Sequence, residues 1–543
     1  DIALAEAYAK EQGMWGGEDA RRVYSQVIDI DLPEPVSFER PATFTPDTTL
    51  GLSAEIARLD EEDHVTRTAA AGARLVHIFS DRLTARAAAF RNCWTAAVPC
   101  GPSRASLLTG LFAFNHRAIR NGTPLARHHA TLGTELRRLG REPLLFGYCD
   151  IAADPTGREP ADPDFTTYEL PAPGFRELAA FRLEAPMDWI GHLRARGYAL
   201  PAPQPQNWPQ LFRPAGEGLR APALYDAQDS DTAWLTDRTL VALEARRDAP
   251  WIAHLTYLRP HPPLVAPAPF NTLVPAEAIA PATPAPESDH PFRRAWFSAP
   301  AGYGLYWGFD GDCAAMTPQT VQALRAVYLG LVAELDHHLG RLLDWLDATG
   351  QAARTLIVLA ADHGEMLGDQ GYWGKDNVLA PAHHVPLLIA GPGVRPGPRA
   401  GFARTIDIAP TILDWLGGTP PPAMDGASLL PALADPAAPL ADHALTEIDL
   451  AEPHRTTRFQ RALSLPESRA NAAILRDPRW SYVHFNGGLP PLLFDRATDP
   501  EERHDLAADP AQAERISQMR AALIDLRMTR ADRRLTGFSF GIA

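Results

Sequence analysis

The sequence predicts an α/β protein that carries a smaller antiparallel sheet and a helix toward its C-terminal end. Three observations lead there. Short apolar runs alternate with helical patterns, one helical stripe holds its spacing over eight apolar positions, and the composition shifts near Pro420. The runs Pro143–Tyr148, Trp251–Leu258, Thr355–Ala361 and Val385–Ala390 are brief and continuous, as strands buried on both faces are. After Thr317 the apolar residues Val321, Leu324, Tyr328, Leu331, Leu335, Leu339, Leu342 and Leu346 recur by threes and fours. Thr317 reads as the N-cap and Pro318 as the first helical residue. A further helix, Ile408–Leu416, stops at Gly417–Gly418. Beyond Pro420 come strand candidates around Ala472–Leu475, Trp480–Phe485 and Leu492–Phe494, then a helix at Ala511–Arg527. The proline-rich stretches Leu200–Pro214 and Pro260–Pro291 read as ordered loops over strand ends. The expected division is 1–79, a segment of uncertain register; 80–420, the α/β body; and 421–543, a C-terminal subdomain.

Composition narrows the class. The 543 residues carry a formal charge of −15, with 45% hydrophobic and 22% charged residues, so a large core and ordinary globular behaviour are expected. The acidic balance argues against nucleic-acid or membrane-surface binding, and no apolar run approaches a membrane span. Cys93, Cys100, Cys149 and Cys313 are too scattered for a disulfide framework or a zinc site, which fits a reducing, cytoplasmic compartment. Of the 51 basic residues 49 are arginine; the two lysines are Lys10 and Lys375.

The chemistry concentrates in a few strings. Cys100-Gly-Pro-Ser-Arg104 runs on as Ala-Ser-Leu-Leu-Thr-Gly110 with helix-forming character, so Cys100 is expected at a helix N-terminus, where an anion is favoured. The apolar run from Thr355 ends in Asp362-His363-Gly364-Glu365, two metal-ligand types at a strand end. Lys375 follows in Gly-Tyr-Trp-Gly-Lys, a compact charge suited to an anionic oxygen. Arg259-Pro-His261-Pro-Pro263 closes another strand, and a histidine there suits proton transfer near neutral pH. His254, earlier on that strand, reads as a core histidine.

The Cys100–Gly110 string resembles the signature of the sulfatase family, within the alkaline phosphatase superfamily. The resemblance implies an alkaline-phosphatase-like mixed sheet sandwiched by helices. It also implies that Cys100 is oxidised to formylglycine by a formylglycine-generating enzyme. The aldehyde hydrate then attacks sulfur or phosphorus and later expels the anion. By the same resemblance Arg104, His261 and Lys375 join Cys100 as catalytic residues, and Asn121, Tyr148 and His116 bind substrate. One divalent metal, manganese, zinc or calcium, is held by Asp362, His363 and position 100. The strings Phe90-Arg-Asn-Cys93, Tyr257-Leu-Arg-Pro-His-Pro-Pro263, Pro410–Gly418 and Arg530–Thr536 are most similar to the phosphonate monoester hydrolases and their arylsulfatase relatives. That group implies a homo-oligomer, dimer or tetramer, in which a C-terminal arm takes part.

Two departures stand out. Asp150 occupies a position where that group has threonine, and a carboxylate there opposes a doubly charged substrate. The family also opens on an apolar strand ending in an acidic metal ligand, and none precedes the body here in register. Asp81 belongs to a later helix. The strand-like run Val23–Asp31 offers Asp29 or Asp31 as the missing carboxylate. The expected function is metal-dependent hydrolysis of small anionic sulfate esters, with phosphonate monoesters and phosphodiesters as the alternative. A metal-deficient, anion-binding relative is the non-enzyme alternative.

Overall fold

The computed structural model describes residues 81–200, 210–302, 304–306, 309, 311–452 and 455–532. After a helical turn at Asp81–Thr84, three short strands, β1 (Ala87–Phe90), β2 (Cys93–Trp94) and β3 (Ala97–Val98), lead into α1 (Cys100–Thr109). The short α2 (Ala113–His116) and α3 (Leu132–Arg138) follow, then β4 (Pro143–Gly147), β5 (Arg176–Ala180), α4 (Asp231–Glu244) and β6 (Ile252–Leu255). The long α5 (Pro318–Ala348) precedes β7 (Ile357–Ala360), β8 (Leu387–Ala390), β9 (Gly397–Arg399), β10 (Ala403–Arg404) and α6 (Ile408–Trp415). The chain then builds β11 (Ala444–Asp449), β12 (Asn471–Arg476), β13 (Trp480–Phe485), β14 (Leu492–Asp495) and α7 (Ala513–Arg530). Among the described residues no helix is long and apolar enough to cross a membrane.

The body is α/β, as the alternation of apolar runs predicts. Its sheet comes in two parts. β4 is the centre of a parallel trio, β5-β4-β6, and β8 pairs antiparallel with both β7 and β1 in the order β7-β8-β1-β9. Among the described residues β6 and β7 are therefore each an edge within their own sheet, and an apolar cavity of about 1230 Å³ is lined by both. The side chains report this. Leu387, Leu388, Ile389 and Ala390 of β8 are all buried, whereas every residue of β6 and β7 is only half-buried.

α5 begins as expected: the Thr317 hydroxyl accepts from the Thr320 N–H at 3.2 Å, and Pro318 occupies a position where no donor is needed. Its stripe buries Leu324, Tyr328, Leu331, Leu335 and Leu346, while Leu339 and Leu342 face the apolar cavity. The C-terminal sheet has the order β14-β13-β12-β11-β3, and α7 packs on it through Met519 and Leu523 against Tyr482 and Leu493. The pairing of β11 with β3 is parallel, so this sheet is tied to the strand that delivers Cys100.

Candidate active site

Four segments converge. Tyr148 follows β4, His261 follows β6, Asp362 and His363 follow β7, and Cys100 opens α1. These are carboxyl ends of strands and an N-terminus of a helix, where an open α/β sheet gathers ligands. Asn121 holds the start of α1: its Oδ1 accepts from the Gly101 N–H at 2.8 Å, which replaces the side-chain cap that Pro99 lacks. Gly110 closes α1 in the left-handed region at φ 67°, and its carbonyl accepts from the N–H groups of Asp425 and Gly426.

Arg104 lies one turn along α1 and is nearly enclosed. Its Nε donates to Asp362 Oδ2 at 2.9 Å, and its two terminal nitrogens donate to the Tyr148 carbonyl at 3.2 Å and the Tyr148 hydroxyl at 3.0 Å. The same guanidinium sits 4.1 Å from the Tyr148 ring centroid. One side chain thus ties the end of β4 to the end of β7. The Asp362 carbonyl also accepts from the Ser103 hydroxyl.

Cys100 is 6% exposed, and its Sγ lies 3.2 Å from His363 Nε2. Burial would push the thiol up, but Lys375 and His363 outweigh it and hold the thiol well below its ordinary value. His363 is opposed by burial too, yet Asp362 and Cys100 prevail and raise it to about 9. Asp362 is held below the usual carboxylate range, because His363 and Arg104 overcome its burial. One ligand atom each from Cys100, Asp362 and His363 lies within 4.8 Å of the others. This trio suits a divalent cation. Its negative charge is enough to hold a proton on His363, and His363 Nδ1 is engaged with the Gly364 carbonyl at 2.8 Å, which leaves Nε2 turned toward the sulfur. Asp29 and Asp31 lie outside the described residues.

His261 Nδ1 faces the Pro262 carbonyl at 2.6 Å, and its Nε2 accepts from Lys375 Nζ at 3.2 Å. Burial and then Lys375 lower the His261 pKa, so the ring is neutral with its Nε2 lone pair on Lys375. Lys375 keeps its charge: burial opposes it, but Cys100 and Glu365 raise its pKa. Glu365 was not singled out from sequence. Its Oε1 accepts from the Gly374 N–H and folds the loop that presents Lys375. Arg259 frames the His261 loop, donating to the carbonyls of His261 at 3.1 Å and Pro263 at 2.8 Å.

Asp150 is buried at φ 53°, with Oδ2 3.6 Å from Arg104 Nε. Burial raises its carboxyl to about 8 against the pull of Arg104. The repulsion that the sequence anticipates at this position is therefore offset locally.

His116 lies elsewhere than expected. It is 1% exposed, its Nε2 is 2.8 Å from the Ser106 hydroxyl, and its Nδ1 accepts from the Ala118 N–H at 3.1 Å. Both ring nitrogens are spent on supporting the inner face of α1, so the substrate-binding role expected for it does not fit this geometry. His254 packs edge-on against Phe175 with ring centroids 5.4 Å apart, in keeping with a core histidine.

A family model described as Sulfatase matches residues 73–418. The chain is 37% identical over 476 residues to a protein of Trinickia caryophylli described as multifunctional alkaline phosphatase superfamily protein PehA, covering 84% of this chain and 90% of that one. Among solved structures it is similar to the phosphonate monoester hydrolase SpPMH from Silicibacter pomeroyi, at 42% identity and TM-score 0.80 over 85% of this chain and 92% of that one. It is also similar to the phosphonate monoester hydrolase of Agrobacterium radiobacter, at 33% identity and TM-score 0.79 over 88% and 94%.

Proposed function

The chain belongs to the sulfatase family and has the alkaline-phosphatase-like α/β fold, and from that premise we propose that it hydrolyses sulfate esters at the centre around Cys100. The observation that carries this reading is the convergence of one depressed thiol, a locked guanidinium and a half-buried ammonium on one spot at the strand ends. Cys100 is the nucleophile position, oxidised to formylglycine. Asp362, His363 and position 100 hold one divalent cation, manganese, zinc or calcium, and their donor set fits it. When present, the cation supplies Lewis acidity and the formylglycine a hydrated aldehyde as nucleophile.

The chain's own residues do the rest. Lys375 meets a non-bridging oxygen of the transferred group as a point charge, and Arg104 holds Asp362 and Tyr148 in register. His261, fixed at Nδ1 by the Pro262 carbonyl, accepts from Lys375 Nζ at Nε2, so the proton for the leaving oxygen comes from the Lys375 ammonium by way of that nitrogen. Asn121 keeps its amide nitrogen for an ester oxygen while its carbonyl anchors α1. Phosphonate monoesters form a second substrate class, supported by the 42% identity to the Silicibacter pomeroyi enzyme. Four free, buried cysteines support a cytoplasmic, reducing location.

Mass spectrometry of the Cys100 peptide from natively produced protein, beside kcat/KM on matched aryl sulfate, phosphonate and phosphodiester substrates, tests this. The expected result is a formylglycine mass at position 100 with turnover of the sulfate ester. An intact thiol in fully active protein contradicts it.

A further inference from the structure

A second cavity, of about 630 Å³, lies on the loops beyond the strand ends, and Lys375 and Asn121 of the proposed centre line it. Its size suits a small organic group. The apolar cavity between β6 and β7 also touches the centre, but it runs back along the strands to Trp251 and Thr355 at their far ends. The loop cavity is thus the one placed outside the carboxyl ends, where α/β sheets receive ligands.

Its lining has a pronounced charge pattern. Four carboxylates, from Asp164, Glu184, Asp376 and Glu452, face two cations, Arg120 and Lys375. Arg120 is already spent: its guanidinium donates to Asp376 at 3.1 Å, to Glu452 at 3.1 Å and to the Asp449 carbonyl at 2.8 Å. Lys375 belongs to the anion end, beside His261. Asp164 is met from outside the cavity by Arg158. Glu184 has no ion-pair partner among the described residues; its Oε2 accepts only from the Thr167 hydroxyl, at 3.5 Å, and burial raises its carboxyl above the ordinary value. The walls add two aromatic rings, Phe165 and Tyr168. Phe165 is exposed at 37% and already carries a guanidinium, that of Arg158, 5.3 Å from its centroid. An aromatic face beside a carboxylate that has no ion-pair partner is the chemistry that recognises an ammonium group. The site is therefore dipolar, with Lys375 at one end and an acidic, aromatic chamber at the other.

Resting on the function proposed above, we propose that this chamber seats the leaving alcohol and selects esters whose alcohol part carries a positive charge. A sulfate or phosphonate ester of an ammonium-bearing alcohol matches both ends at once. An alcohol bearing a carboxylate meets Glu184 and Asp376 and is disfavoured.

Three aryl sulfates of matched shape test this on the metal-loaded protein: 4-(trimethylammoniomethyl)phenyl, 4-neopentylphenyl and 4-(carboxymethyl)phenyl sulfate. The expected order of kcat/KM is cationic, neutral, anionic, with at least about tenfold between the first two at low salt and less at high salt. Glu184→Gln should narrow the cationic-to-neutral ratio severalfold. Turnover of all three at equal kcat/KM, or a ratio that Glu184→Gln leaves unchanged, overturns this inference and leaves the proposed function standing. No turnover of any of the three removes the proposed function, and this inference falls with it.

Discussion

The two ends of the β6–β7 gap are built on opposite principles. Beyond the strand ends, the cations of the centre take partners from other segments: Arg104 reaches Asp362 and Tyr148, and Lys375 reaches His261. Along the strand shafts the same two segments line an apolar cavity of about 1230 Å³, edged by Leu339, Leu342 and the half-buried faces of β6 and β7. The difference shows what positions the reaction centre. Among the described residues no strand pairing joins β6 to β7: β6 pairs with β4 and β7 with β8. Side chains link the strand ends instead, and the Arg104 guanidinium, with three directed donors, joins the end of β7 to the end of β4, the neighbour of β6.

Breaking the span should therefore produce the largest effect. Arg104→Lys keeps the charge but loses the fork, and only one of Asp362, the Tyr148 carbonyl and the Tyr148 hydroxyl can then be met well. A fall in kcat/KM of about 10²–10³ is expected, the scale of losing one directed donor in an enclosed site. Steady-state kinetics with circular dichroism as a folding control checks it; near-wild-type kinetics would mean that the Arg104 span does not position the centre.

The next comparison sets packed strand against cavity wall. Leu388 on β8 is 0% exposed, so Leu388→Ala should cost about 3 kcal/mol through lost burial and a new void. Leu342→Ala, which enlarges a cavity already present, should cost about 1 kcal/mol. Urea unfolding of the two variants measures the difference; equal losses would mean that the shafts are as tightly packed as β8.

A smaller effect separates the two kinds of histidine. His116 is buried and neutral, with burial pushing it down to about 3, whereas an unfolded chain titrates it near the ordinary 6.5. The unfolded state therefore binds more protons between those values. The stability His116 contributes is complete above about pH 6.5 and is lost as pH falls toward 3, about 2 kcal/mol by pH 5. Melting curves from pH 7 to pH 5 should show the loss, and His116→Gln should flatten that slope.

The sequence and the structure agree most closely where chemistry is written as contiguous strings. Cys100 with Arg104, and Asp362 with His363, each sit within one turn or one strand end, so spacing along the chain fixes their relation in space. Lys375 was legible for another reason: in a chain with two lysines, one that follows a strand-end motif draws attention. His116 misled because proximity to Cys100 in sequence does not tell which side of α1 a ring enters, and Ser106 draws it inward. Glu365 and Arg120 act through partners nine or more than two hundred residues away, Gly374 on one side, Asp376 and Glu452 on the other. No local period records such contacts. The division of the sheet at β6 and β7 was equally invisible, since both read simply as buried strands.

Cys100 is where these lines meet, and its removal tests them most directly. kcat/KM of Cys100→Ala should be compared with that of the wild type on an aryl sulfate, both proteins produced with a formylglycine-generating enzyme and loaded with divalent metal. A loss of at least about 10⁴-fold is predicted, since the nucleophile has no substitute in the centre. Activity within tenfold of the wild type would contradict the assignment of Cys100 as the reacting position.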